Sequence, residues 1–93
     1  MAYIIYASNR VYENVRSYFE AGNGVQNYDL LEVVHKLGEN NIYRVMAQHK
    51  KTKEYTVWTC WNETTQSMNF GHYNLTKKIA KDILYCRGEW WEG

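Results

Sequence analysis

An α+β fold, an antiparallel β meander of four to five strands with two amphipathic helices packed on it, is what this sequence predicts. Apolar residues recur at three- and four-residue spacing in two stretches, one near each end of the chain. Between them lie β-prone runs separated by short polar turn clusters. The resulting order, β-α-β-β-β-β-α with short connections throughout, points to a meander layered with helices.

Ala2 to Ala7 is a short apolar, β-prone run, and Ser8 or Asn9 behind it can cap a helix by accepting from its free backbone amides. From Arg10 onward Val11, Val15 and Phe19, joined by Tyr12 and Tyr18, form one face, with Glu13, Arg16 and Glu20 between them. This makes an amphipathic helix of about three turns. Gly22 and Gly24 can take the left-handed geometry that ends it, so Gly22-Asn23-Gly24 reads as a loop. Tyr28 to Lys36 carries Leu30, Leu31, Val33 and Val34 and closes on Gly38-Glu39-Asn40-Asn41, a hairpin turn. Ile42 to His49 and Glu54 to Trp61 are joined by Lys50-Lys51-Thr52-Lys53, a second hairpin with a basic tip. Asn62 to Gln66 makes a third turn, and Met68 to Tyr73 the last strand. Because Tyr55, Val57 and Trp61 fall on one side of their run and Trp58 and Cys60 on the other, both sheet faces are expected to be covered. Asn74 or Thr76 caps the closing helix. Its apolar stripe is Leu75, Ile79, Ala80, Ile83 and Leu84, its wet side carries Lys77, Lys78, Lys81 and Asp82, and Gly88 ends it.

Length and composition narrow the function classes. At 93 residues the chain is read as a single domain, 1–93, and an apolar content of 45% argues for a packed core rather than disorder. A net charge of +1 gives no overall field to steer the molecule onto nucleic acid or an anionic membrane, so any such binding needs a local patch. No membrane span and no signal peptide are read, and the expected location is the cytoplasm of a bacterial host. There Cys60 and Cys86 stay reduced, and the glycosylation-like runs at Asn62 and Asn74 are chance matches.

Catalytic chemistry finds little support. Cys60, His72 and Cys86 stand singly, without a second ligand at close spacing, and His35 and His49 fall on strands or their ends; no metal and no cofactor are assigned. Cys60 lies between Trp58 and Trp61 and Cys86 ends an apolar stripe, so both read as small buried hydrophobes rather than nucleophiles. Paired carboxylates, a phosphate loop and a serine elbow are all missing from the sequence, and the chain is expected not to be an enzyme.

Nine tyrosines and four tryptophans are far more than average. Some of Val57, Trp58, Trp61, Phe70 and Tyr73 must fill the core, but Tyr3, Tyr6, Tyr12, Tyr18, Tyr28, Tyr43, Tyr55, Tyr85, Trp90 and Trp91 exceed what one small core hides. Tyrosine and tryptophan gain most at protein interfaces, so the expected docking residues are Tyr3, Tyr6, His72, Trp90 and Trp91. The alternative uses Lys50, Lys51 and Lys53 at the hairpin tip with Lys77, Lys78 and Lys81 on the last helix, against nucleic-acid phosphates. Thr76-Lys77-Lys78-Ile79-Ala80-Lys81 resembles the lysine-rich start of the last helix of double-stranded RNA-binding domains. That family's Pro-His loop has no counterpart at Gly38 to Asn41.

A second resemblance spans about half the chain. Tyr43-Arg44-Val45-Met46-Ala47, Lys53-Glu54-Tyr55-Thr56-Val57-Trp58 and Asn69-Phe70-Gly71-His72-Tyr73, followed by a short helix, resemble a pattern in small proteins of Gram-positive phages and mobile elements. Gly71-His72-Tyr73 is its most particular piece. Small phage proteins include inhibitors of bacterial immunity, anti-CRISPR proteins among them. The resemblance implies a phage or mobile-element origin; with the aromatic surplus, the expectation is a protein that covers a host protein without catalysis. A CRISPR effector is the sharpest version of that partner; nucleic acid, or a second copy of the chain, is the alternative.

Overall fold

The computed structural model describes residues 3–22, 24–37, 42–60 and 69–85. One antiparallel sheet holds β1 (Tyr3–Tyr6), β2 (Tyr28–Leu37), β3 (Ile42–His49), β4 (Tyr55–Cys60) and β5 (Asn69–Leu75) in chain order. Helix α1 (Asn9–Glu20) joins β1 to β2, and α2 (Lys77–Leu84) follows β5. The expected α+β meander with two helices is the observed architecture, with five strands. The third turn at Asn62 to Gln66, and Trp61, Cys86, Gly88, Trp90 and Trp91, lie outside the described residues.

Each helix starts where its cap demands. Ser8 Oγ accepts from the amide of Val11 at 3.4 Å, and Thr76 Oγ1 from the amide of Ile79 at 3.3 Å, each satisfying one amide that helical geometry leaves without a partner. Val11, Val15 and Phe19 are the buried residues of α1, and Ala80, Ile83 and Leu84 those of α2. The two stripes go to opposite faces of the sheet. With α1 pack Val33, Tyr43, Val45, Ala47, Trp58 and Cys60; with α2 pack Val34, Met46 and Val57. Consecutive strand residues therefore enter different cores. Ile42 to Ala47 and Thr56 to Cys60 are buried without a break, which is why neither run alternates in polarity.

Three departures from simple pairing shape the sheet. In β2 the register shifts between Leu30 and Glu32, leaving Leu31 as an extra, exposed residue. That shift lets Leu30 and Val33 share the α1 core, which strict alternation forbids. In β5 the register shifts twice, between its partners Tyr55 and Val57 and again between Val57 and Thr59, and Asn74 takes φ 58° in the left-handed region. The strand reaches Leu75, two residues beyond the expected Tyr73. Helix α2 ends at Leu84, with Tyr85 as its cap. The buried Arg44 guanidinium on β3 donates to the carbonyl of Ile83, and the Tyr85 hydroxyl donates to Glu32 on β2. The last described turn is thus held by strand side chains.

Candidate functional site

The hairpin tip between β3 and β4 is tightly built. The His49 amide donates to the carbonyl of Glu54 at 2.9 Å, and the Lys53 amide to that of His49 at 3.0 Å. His49 Nδ1 accepts from the amides of Lys51 at 3.1 Å and Thr52 at 3.3 Å, so the neutral ring serves as an internal cap for the turn. Thr52 Oγ1 accepts from the amide of Glu54, and the Gln48 side chain donates to the carbonyl of Lys53. Lys53 itself sits at φ 65°. Lys50, Lys51 and Lys53 are all exposed on this ordered frame.

The second lysine group arrives at the same end through strand pairing. Tyr55 on β4 lies opposite Leu75 on β5. Lys53 precedes Tyr55 by two residues and Lys77 follows Leu75 by two, so in an antiparallel pair both leave the sheet at the same edge of the molecule. Lys78 pairs with Asp82 at 3.1 Å and Lys50 with Asp29 at 4.0 Å, contacts that are exposed and weak. Among the described residues, no carboxylate lies within ion-pair distance of Lys51, Lys53 or Lys77. Lys81 stands one turn further along α2 and extends the row away from that end. Five of the six lysines singled out in the sequence therefore share one end of the sheet, and this convergence makes a local patch out of a near-neutral chain.

Beside the patch, between α1 and the start of β2, is an open cleft of about 380 Å³. Tyr12, Phe19, Tyr28 and Leu30 give it an apolar floor, and Lys50 stands at its mouth. The Lys50 amide donates to the carbonyl of Asn27 at 2.8 Å, which ties the hairpin tip to this wall. Arg16 reaches Glu20 at 2.9 Å and also grips Glu13. The hydrogen bond to Glu13, with the charges of Glu13 and Glu20, holds the guanidinium above its ordinary pKa. Sequence reasoning read Tyr12 and Tyr28 as surplus aromatics and Arg16 as a solvated charge, and missed the cleft. Glu13, Arg16 and Glu20 at three- and four-residue spacing were the available signal.

The expected docking residues are spread apart. Tyr6 is 71% exposed on β1 and His72 is half-buried on β5, at opposite edges of the sheet. Tyr3 opens β1 opposite Leu37, and Trp90 and Trp91 lie outside the described residues. The aromatic surplus is smaller than one core implies, because there are two. Tyr43 is buried, and Tyr12, Tyr18, Tyr28, Tyr55 and Tyr85 are each partly covered by one core or the other. Cys60 is buried as expected, and burial pushes its thiol up to about 12. Among the described residues no three His, Cys, Asp or Glu side chains gather as a metal site requires. None of the helices among them is long and apolar enough to cross a membrane.

Fold and site together define a small α+β domain with a cation-bearing end. By sequence the chain belongs to the family described as large polyvalent protein associated domain 24, whose model matches residues 10–79. This is a domain of mobile-element, polyvalent-protein character, in keeping with the resemblance carried by Gly71-His72-Tyr73. No curated protein and no solved structure matches the chain.

Proposed function

We propose that this chain is a non-catalytic, nucleic-acid-binding domain of a mobile element, which takes phosphates on the end of the sheet that carries Lys50, Lys51, Lys53, Lys77 and Lys78. The observation that supports this reading is the meeting of two lysine groups through the Tyr55–Leu75 pair. Ammonium groups on a rigid frame neutralise phosphates and release counterions, so affinity depends on salt rather than on sequence. A mobile-element origin supplies a context in which foreign nucleic acid is the material at hand. The test is fluorescence anisotropy of labelled oligonucleotides over a salt series. Binding at low salt should weaken with a log–log slope of roughly three to four. Lys51→Ala and Lys77→Ala should each flatten the slope by about one. If the slope is indifferent to both changes, the lysine end is not the contact surface.

A second reading is docking on a host protein, a CRISPR effector in its sharpest form, and one observation favours it. At the β1 edge of the sheet Ile5 and Leu37 are exposed on one face and Tyr6 on the other. In that case Tyr6→Glu should abolish relief of CRISPR interference in a plasmid-clearance assay, while Lys51→Ala and Lys77→Ala leave it intact.

A further inference from the structure

We infer that the cleft between α1 and β2 receives one unpaired base of a nucleic-acid strand whose phosphates run over the neighbouring lysines. This rests on the phosphate-binding reading and adds to it a base subsite and a preference for single strands. The cleft volume of about 380 Å³ sits within the range of small-ligand clefts, roughly 300 to 1,000 Å³. Its floor is built from rings: Tyr12 and Tyr28 both line the cleft and are half-buried, so each keeps part of its side chain open to solvent. Every base has a π-face, and stacking on tyrosine is tolerant of sequence. Tyr28 is also braced, edge to face, by Trp58 and His49, each with ring centroids 5.1 Å from its own, so the platform is held in place before binding.

The rim decides which part of a nucleotide enters. Glu20 and Asp29 line the cleft and are offset by Arg16 and Lys50, so the lining as a whole carries no net charge to draw in a phosphate. The same carboxylates accept from the amino groups of adenine, cytosine or guanine, and the exposed Gln26 amide both donates and accepts. A charge-balanced rim over an apolar floor favours a flat heterocycle, while the exposed lysines of the tip are the better place for its phosphate. Lys50 belongs to both features, lining the cleft and standing on the lysine-bearing tip, so a base in the cleft leaves its phosphate beside that tip. A base inside an intact duplex is stacked and paired and cannot enter.

Anisotropy over a salt series with a mixed-sequence single strand and the matching blunt duplex tests this. The single strand should bind about tenfold more tightly. Tyr12→Ala and Gln26→Ala should remove that preference by weakening only the single strand, with the salt slope unchanged because neither residue is charged. On the unaltered protein, a 5-iodouracil strand should photo-crosslink to Tyr12 or Tyr28, a readout independent of any effect of the substitutions on folding. Equal affinities, cleft variants that act on both probes alike, or a crosslink confined to other residues would overturn the base subsite and leave the phosphate-binding reading standing. Absence of binding to either probe at low salt would overturn both.

Discussion

Gly71 and Tyr73 form a pair defined by what glycine lacks. A Cβ added at Gly71 would stand 2.5 Å from Tyr73 Cε2 and 2.6 Å from its Cζ and hydroxyl. The ring lies over the glycine because its hydroxyl accepts from Trp58 Nε1 at 2.9 Å and the two rings meet nearly at right angles. Here is a physical reason for the Gly-His-Tyr run: the glycine makes room for the tyrosine that satisfies a core tryptophan. Gly71→Ala should displace the ring, break that hydrogen bond and cost about 1 to 2 kcal/mol. In a Tyr73→Ala background the same change should cost close to nothing, a coupling that urea unfolding of the four proteins in the cycle would reveal. Cys60 offers a second residue-level outcome. Its folded thiol is pushed up to about 12 from an ordinary 9.0, so above pH 9 the unfolded chain releases a proton that the folded chain keeps. Stability should be unaffected by this group below pH 9 and fall by about 1.4 kcal/mol per pH unit above it, until the folded thiol itself ionises. Tyr85, raised by burial and by its hydrogen bonds to Glu32 and Tyr6, acts in the same direction. Cys60→Ala should remove the thiol's share of the alkaline slope, measured by urea titration at several pH values.

At the scale of elements, the tip turn connects order to function without any change of charge. His49 accepts from two successive amides, so His49→Leu keeps every lysine but strips the turn of its internal cap. Stability should fall by about 1 to 2 kcal/mol. Oligonucleotide affinity, measured by anisotropy under folding conditions, should fall severalfold because the ammonium groups must then be ordered on binding. Much at this scale could be read in advance from the residues. Ser8 and Thr76 fit their caps, Val11, Val15 and Phe19 their stripe, and the split between Val57 and Trp58 announced two covered faces. What escaped depends on partners distant in sequence. The extra residue at Leu31 only has meaning opposite β3, and the meeting of Lys53 with Lys77 depends on Tyr55 facing Leu75. The end of α2 is likewise decided by Arg44, which lies 39 residues before the carbonyl it holds. Periodicity describes one element at a time, so it revealed both lysine groups and not their convergence.

Across the whole molecule, the sheet separates two cores that share its strands. Val45 enters one and the adjacent Met46 the other, so β3 is the wall between them. This division let the chain shelter more rings than a single core would, and it leaves Tyr12 and Tyr28 half-buried where they line the cleft. It also has an energetic consequence. Val15 lies in the α1 core and Ile83 in the α2 core, with the sheet between and no shared neighbour among the residues of either cluster. Val15→Ala should cost roughly 2 kcal/mol and Ile83→Val about 1 kcal/mol, and the double variant should show their sum to within about 0.5 kcal/mol. Val15→Ala combined with Phe19→Leu, both inside one core, should depart from additivity because the remaining side chains can relax into a joint cavity. Native-state hydrogen exchange gives the complementary measure: either core variant should lower protection along β3 by its full cost, since that strand opens only when both sides do. If Ile83→Val instead leaves β3 protection untouched while loosening α2 alone, the two layers fold as separate units and the lysines of the tip and of α2 are not carried on one rigid frame.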